Sequence, residues 1–179
     1  MLRLFAALSL PEALAERLAD IAAELPGFPQ PAEALHLTLA FFGALDRAQA
    51  EDLHAALEAV SAPAFAWSAA GLGVFGGERP RALYAAVTPE PALARLQAKV
   101  AQAARAAGVA VEARRFVPHV TLSRIRPGAV SPAEAAKALA AHAALRAGPV
   151  AADAFHLFRS DPGRHGPRYE ALAAYPLPP

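Results

Sequence analysis

The sequence predicts an α+β fold. Strand-like apolar runs are mixed with four helix-like segments, and several neighbouring strands are joined by loops short enough to demand antiparallel pairing. No glycine-rich dinucleotide or phosphate-loop fingerprint follows any strand, which argues against a doubly wound parallel sheet.

The elements follow in order. Leu2–Leu8 is a short apolar run ending at Ser9 and Pro11, the pattern of a buried strand rather than of a signal peptide. Leu14, Leu18, Ile21 and Leu25 then recur at spacings of three and four. They predict a helix over Pro11–Leu25, begun by a proline and stopped before Pro26-Gly27. Residues 27–31 form a turn-rich connector. Leu35–Phe42 reads as a strand closed by Gly43, and Arg47–Val60 as a second helix. Phe65–Gly73 and Ala82–Val87 read as two strands around a loop rich in glycine and arginine.

Pro89–Ala107 predicts a third helix, stopped by Gly108, and Phe116–Ser123 a further strand. The fourth helix covers Ser131–Leu145, with Ser131 as N-cap, Pro132 in the first helical position and Glu134 completing a capping box. Pro149–Phe158 and Arg168–Tyr175 read as two closing strands around the loop 160–166.

Composition bounds the function. The 179 residues fit one domain, 1–179, and a 55% hydrophobic content supports a real core. No stretch approaches the roughly 20 apolar residues of a membrane span, so a cytoplasmic location is the expectation. Without cysteine there is no disulfide, zinc–thiolate site or thiol nucleophile. A net charge of +1 is too balanced for coating nucleic acid by bulk electrostatics, so any RNA contact must be local. The same balance, and the lack of coiled-coil heptads, make a monomer the default.

One pattern occurs twice: His36-Leu37-Thr38-Leu39 and His119-Val120-Thr121-Leu122. The chain has only three threonines and six histidines. Random placement gives two such His-x-Thr pairs with a probability of roughly 0.3%. In a strand, residues i and i+2 share a face, so His36 projects with Thr38, and His119 with Thr121 and Ser123. The intervening aliphatics face the opposite way, into a core. Two such rows suggest two equivalent halves facing each other.

This set has a chemistry. Splitting a cyclic phosphodiester needs a base to take a proton from water and an acid to protonate the departing oxygen, and histidine fills either role near neutral pH. Threonine hydroxyls can donate to the non-bridging oxygens. The sequence lacks clustered Asp, Glu, His or Cys ligands, so no metal and no other cofactor is expected. The spacing does not tell acid from base.

At these residues the chain resembles the two-histidine phosphoesterase superfamily, and within it the RNA 2′,3′-cyclic phosphodiesterase (2′-5′ RNA ligase) family. The resemblance covers RLFAALSLP, LHLTLAFFG, RPRALYA, FVPHVTLSRIR and GPRYEALAAYPL, nearly the whole chain. It implies a bilobal body with two mainly antiparallel sheets, flanking helices, a pseudo-twofold axis and a central cleft. It further implies His36 as proton donor, His119 as proton acceptor, and a product carrying a 2′-phosphate. The partner implied is RNA with a 2′,3′-cyclic phosphate end, or a cyclic nucleotide. By the same resemblance Arg124 helps hold the phosphates. Strict alternation puts it on the face opposite His119, so it reaches the cleft only where the strand bends or ends near Ser123.

Ser123 shares the face of His119 and is a further phosphate candidate, although a strand-end serine also forms turns. Phe42 and Tyr169 are candidates for stacking on a base, against an ordinary place in the core. Arg79, Arg81, Arg114, Arg115, Arg126, Arg164 and Arg168 can form a rim, most of them as ordinary solvated charges. His54, His142, His156 and His165 receive no role. Run backwards, the same site would join a cyclic end to a 5′-hydroxyl as a ligase. The alternative of another class is a nucleotide-binding module without turnover, which need not retain both histidines with both threonines.

Overall fold

The computed structural model describes residues 1–112, 115–163 and 166–179; Arg114, Arg164 and His165, named above, lie outside the described residues. In chain order the elements are β1 (Leu2–Ser9), α1 (Glu12–Glu24), β2 (Phe28–Pro29), a 3-10 turn (Ala32–Ala34), β3 (His36–Leu45), α2 (Arg47–Glu58) and β4 (Phe65–Phe75). There follow β5 (Ala82–Val87), α3 (Pro91–Ala106), β6 (His119–Arg124), α4 (Pro132–Ala141), β7 (Arg146–Ala152), β8 (Ala154–Asp161) and β9 (Arg168–Pro176). The α+β class and the antiparallel pairing agree with the sequence reading.

Local chemistry explains the helix ends. α1 buries Leu18 and stops where Leu25 turns extended ahead of Pro26. α2 starts from a capping box in which the Asp46 carboxylate accepts from the Gln49 N–H, and Gln49 answers. The box predicted for α4 is present, with the Glu134 N–H donating to the Ser131 hydroxyl and the Ser131 N–H to Glu134.

The sheet order is β7-β4-β5-β6-β3-β1-β8-β9, with β2 beside β6. Its two halves mirror each other: β9-β8-β1-β3 in one lobe, β7-β4-β5-β6 in the other. The two antiparallel sheets implied by the resemblance are continuous, because the motif strands β3 and β6 join them into one sheet through the pair Leu37–Val120. Both side chains are fully buried, which lets the two strands meet edge to edge. Farther along β6, β2 takes over that edge at Ser123 and Arg124.

The core lies on the side of the sheet covered by helices, and the packing crosses between lobes. α1, which follows β1, rests on β6, while α3, which follows β5, rests on β3. Leu4, Leu8, Leu37, Leu83, Leu93, Leu96 and Leu122 are at or below 2% exposure there. At about 1.5–3 kcal/mol for each fully buried side chain, this leucine layer fixes how the motif strands sit relative to each other.

Two boundaries differ from the sequence reading. The helix predicted to Leu145 ends at Ala141, because the Leu145 carbonyl accepts from the Gly71 N–H and starts the chain along β4. The run Pro149–Phe158 is two strands, not one: β7 pairs with β4, the chain turns at Asp153, and β8 pairs with β1 and β9. The buried positions change parity at Asp153, from Val150 and Ala152 to Phe155 and Leu157, but the small side chains of Ala151, Ala152 and Ala154 blur that break in the sequence. Among the described residues no helix is long and apolar enough to cross a membrane.

Candidate active site

The two motifs occupy neighbouring strands. The antiparallel register centred on Leu37–Val120 sets His36 beside Thr121 and Thr38 beside His119, all on the face away from the leucine layer. Each imidazole is fixed in the same way. His36 Nδ1 lies 2.8 Å from the Ala34 carbonyl and His119 Nδ1 lies 2.6 Å from the Val117 carbonyl, in both cases two residues upstream. A carbonyl only accepts, so both Nδ1 atoms carry the hydrogen, and Nε2 is left as the working nitrogen of each ring.

Aromatic rings collar both histidines. His36 packs against Phe5 at 4.8 Å and the edge of Tyr169 at 4.9 Å, with Phe158 behind. His119 meets Phe75 edge-on at 4.7 Å and Tyr84 at 5.3 Å. Burial is therefore the main cause that lowers both pKa values: His36 from 6.5 to about 4, and His119 also below its ordinary value. The carbonyl hydrogen bonds oppose this, while the Arg124 charge adds to it at both rings and His119 adds to it at His36. In the free protein both imidazoles are neutral at pH 7.

Arg124 acts on both rings because it lies on their face. β6 carries a bulge at Leu122: Tyr84 pairs with Thr121 and Leu83 with Ser123, so Leu122 has no partner of its own. The bulge reverses the alternation. Arg124 turns to the cleft face with His119 and Thr121, and Ser123 turns to the core.

The assignment of Ser123 to phosphate is thereby corrected. It is 0% exposed, and its hydroxyl donates to the Pro26 carbonyl at 2.7 Å. β3 repeats the device. Ala7 pairs with Thr38 and Ala6 with Ala40, leaving a bulge at Leu39. Phe42, expected at the base, is instead a core residue at 4% exposure, and Phe41 is the exposed ring at 51%. Phe41 packs on Phe5 at 5.4 Å, beside His36.

Tyr169, the other candidate for stacking on a base, is half-buried with its ring edge-on to His36. Among the described residues, neither Thr38 nor Thr121 spends its hydroxyl on a protein partner. Thr88, the threonine outside the motifs, donates to the Ser68 carbonyl. Phe5, Phe75, Tyr84 and Phe158 were not singled out from sequence. Phe5 stands in a run buried on both faces, and such a run has no period to reveal a cleft side. His156 also reaches the cleft face, as the partner of Ala7, and its ring meets the Ser9 hydroxyl at 3.2 Å.

One cavity of about 430 Å³ is lined by His36, and another of about 480 Å³ by Tyr84 and the segment that precedes His119. The first is bounded by Ser9, Glu12, Glu33, His36, Phe158 and Tyr169, and the second by Tyr84, Leu93, Arg115, Val117 and Pro118. Each lies between a lobe's first helix and the segment that leads into its motif. Among the described residues no group of three or more His, Cys, Asp or Glu side chains is arranged to hold a metal ion.

This two-lobed architecture is that of the LigT-type phosphoesterases. The structure is similar to E. coli LigT complexed with 3′-AMP, with a TM-score of 0.79 and 26% identity over 98% of both chains. The sequence profile of the 2′-5′ RNA ligase superfamily matches residues 10–164, and the chain belongs to that superfamily. Two relatives carry the name RNA 2′,3′-cyclic phosphodiesterase. The Geobacillus stearothermophilus protein is 34% identical over 81% of this chain, and the Bacillus subtilis protein is 31% identical over 79%. The match spans about half the length of the first (46%) and 76% of the second.

Proposed function

We propose that this protein hydrolyses RNA 2′,3′-cyclic phosphate ends to 2′-phosphomonoesters without a metal. The observation that carries this reading is the pair of imidazoles from separate halves, each fixed through Nδ1, on one cleft face with Arg124. The names of the relatives, and the 3′-AMP held by E. coli LigT, support the substrate class.

The chemistry runs as follows. His119 Nε2 takes a proton from water as the water oxygen bonds to phosphorus. The bond from phosphorus to the 3′ oxygen breaks, and His36 Nε2–H gives its proton to that oxygen, leaving a 3′-hydroxyl and a 2′-phosphate. Thr38 and Thr121 donate to the non-bridging oxygens, and Arg124 balances their charge. Phe41 and Tyr169 offer ring surfaces to the base.

The acid must be protonated when substrate is bound, although His36 is neutral in the free protein. The phosphodiester brings a negative charge that offsets Arg124 and raises both histidine pKa values, so the proton arrives with the anion. With a 5′-hydroxyl in place of water as the nucleophile, the same steps would break the bond to the 3′ oxygen and form a 2′-5′ bond. In water at about 55 M, hydrolysis dominates by mass action.

The test is product analysis on an oligonucleotide ending in a 2′,3′-cyclic phosphate. A 2′-phosphate is expected, the rate should be unchanged by EDTA, and His36→Ala and His119→Ala should each abolish turnover. Thr38→Ala and Thr121→Ala should each lose about 10- to 10³-fold. Strict metal dependence, or full activity in either histidine variant, would falsify the mechanism.

A further inference from the structure

β2 is only two residues long, yet it is strapped tightly to β6. The buried Ser123 hydroxyl donates to the Pro26 carbonyl, and the Gln30 N–H donates to the Leu122 carbonyl at 2.7 Å. Gly27, at φ +103°, approaches β6 so closely that a Cβ there would stand 2.6 Å from the Arg124 carbonyl oxygen. Phe28 and Pro29 pair with Arg124 and Ser123. Arg124 Nε in turn donates to Gln30 Oε1 at 3.4 Å.

What the strap displays is an apolar ring in water. Phe28 is 45% exposed, although its backbone is held by a buried anchor. Cross-strand partners point to the same side of a sheet, so Phe28 shares the cleft face of Arg124. The Arg126 guanidinium lies over the Phe28 ring, 4.4 Å from its centroid. A ring has two faces, and Arg126 covers one. Among the described residues, neither Arg124 nor Arg126 has a carboxylate partner.

We infer that this strap is a subsite for the RNA chain upstream of the reacting end. Phe28 stacks with an unpaired base, and Arg126 meets the backbone phosphates. A terminal nucleotide with a 2′,3′-cyclic phosphate carries the rest of its RNA on the 5′ oxygen, so the chain must leave the cleft over some surface. The cleft face of β6 and the residues that follow it supply one, running from His119 and Thr121 past Arg124 to Arg126. An aromatic ring beside unneutralised arginines is the composition of a single-strand site that reads no sequence. The overall charge of +1 requires such attraction to be local.

The inference rests on the hydrolysis proposed above, and one experiment separates the two. Rates are measured on 2′,3′-cyclic AMP and on a short single-stranded RNA ending in a 2′,3′-cyclic phosphate. Phe28→Ala and Arg126→Ala should each lower kcat/KM on the RNA roughly 5- to 100-fold and leave the mononucleotide within about twofold. Arg126→Ala should also flatten the slope of log kcat/KM against log salt by about 0.7 on the RNA. Equal losses on both substrates, or none on either, overturn the subsite. If the wild type turns over neither substrate, the hydrolytic reading fails and the subsite is judged by fluorescence anisotropy with a 2′-phosphate-ended RNA. Weaker binding in both variants supports it; undiminished or absent binding overturns it.

Discussion

Phe41 and Arg124 hold equivalent positions in the two halves of the molecule. Each follows its motif histidine by five residues, and each is turned onto the cleft face by a bulge at its motif leucine, Leu39 or Leu122. The halves repeat a geometry and then fill it with different chemistry, an exposed phenyl ring on one side and a guanidinium on the other. The twofold is broken at the position where a nucleotide, with a flat base and a charged phosphate, is itself unsymmetrical.

Removing Arg124 should act through charge at both histidines. Arg124→Ala is expected to lower kcat/KM on every cyclic substrate and to flatten its salt dependence. The guanidinium lowers both pKa values, so its loss should raise those of His36 and His119 in the free protein. Imidazole proton shifts followed through a pH titration measure this. Unmoved histidine pKa values would show that Arg124 does not face the cleft.

The two adjacent phenylalanines should separate activity from stability. Phe41→Ala is expected to raise KM for cyclic nucleotides with little change in Tm, because the ring is half in water. Phe42→Ala removes a buried ring and should cost about 3–5 kcal/mol of stability. Denaturant unfolding and steady-state kinetics on both variants decide it, and the reverse pattern would refute the bulge at Leu39 as the reason for their orientation.

That pair also marks how far the sequence could be read. His36, Thr38, His119 and Thr121 were legible because a period of two, with leucine or valine between polar residues, survives up to the motif leucine. It fails one residue later in both halves. A bulge adds a residue to one strand without a compositional mark, so strict alternation exchanges Phe42 for Phe41 and sends Ser123 to the cleft in place of Arg124. The aromatic collar escaped for a related reason, since Phe5 and Phe75 come from strands with no motif of their own.

The low pKa of His36 is a statement about stability as well as catalysis. In the unfolded chain this group titrates near 6.5 and in the folded protein near 4, so between these values the unfolded state binds more protons. Stability should therefore be flat above pH 6.5 as far as His36 is concerned, and fall as pH drops from 6.5 to 4. The full loss is on the order of 3 kcal/mol. His36→Asn retains a donor for the Ala34 carbonyl and cannot ionise, so its unfolding free energy should fall less over that window. Parallel pH profiles of urea unfolding for wild type and variant would contradict the assignment.

Gly73 should matter for activity although it touches neither histidine. A Cβ placed there would stand 2.3–2.5 Å from two ring carbons and the hydroxyl oxygen of Tyr84, a separation no packing tolerates. Tyr84 stacks on Phe75 at 4.2 Å, and both rings meet His119, so the Tyr84 ring cannot move away without loosening the apolar wall around that imidazole. Burial is the largest cause of the lowered His119 pKa, so Gly73→Ala should shift that pKa upward, toward 6.5, and move the acid limb of kcat/KM with it. The obstruction is the ring, so the effect of Gly73→Ala should disappear when Tyr84 is already Ala. A double-mutant cycle on the His119 titration isolates this coupling. Additive shifts from the two substitutions would mean that Gly73 acts through the backbone instead.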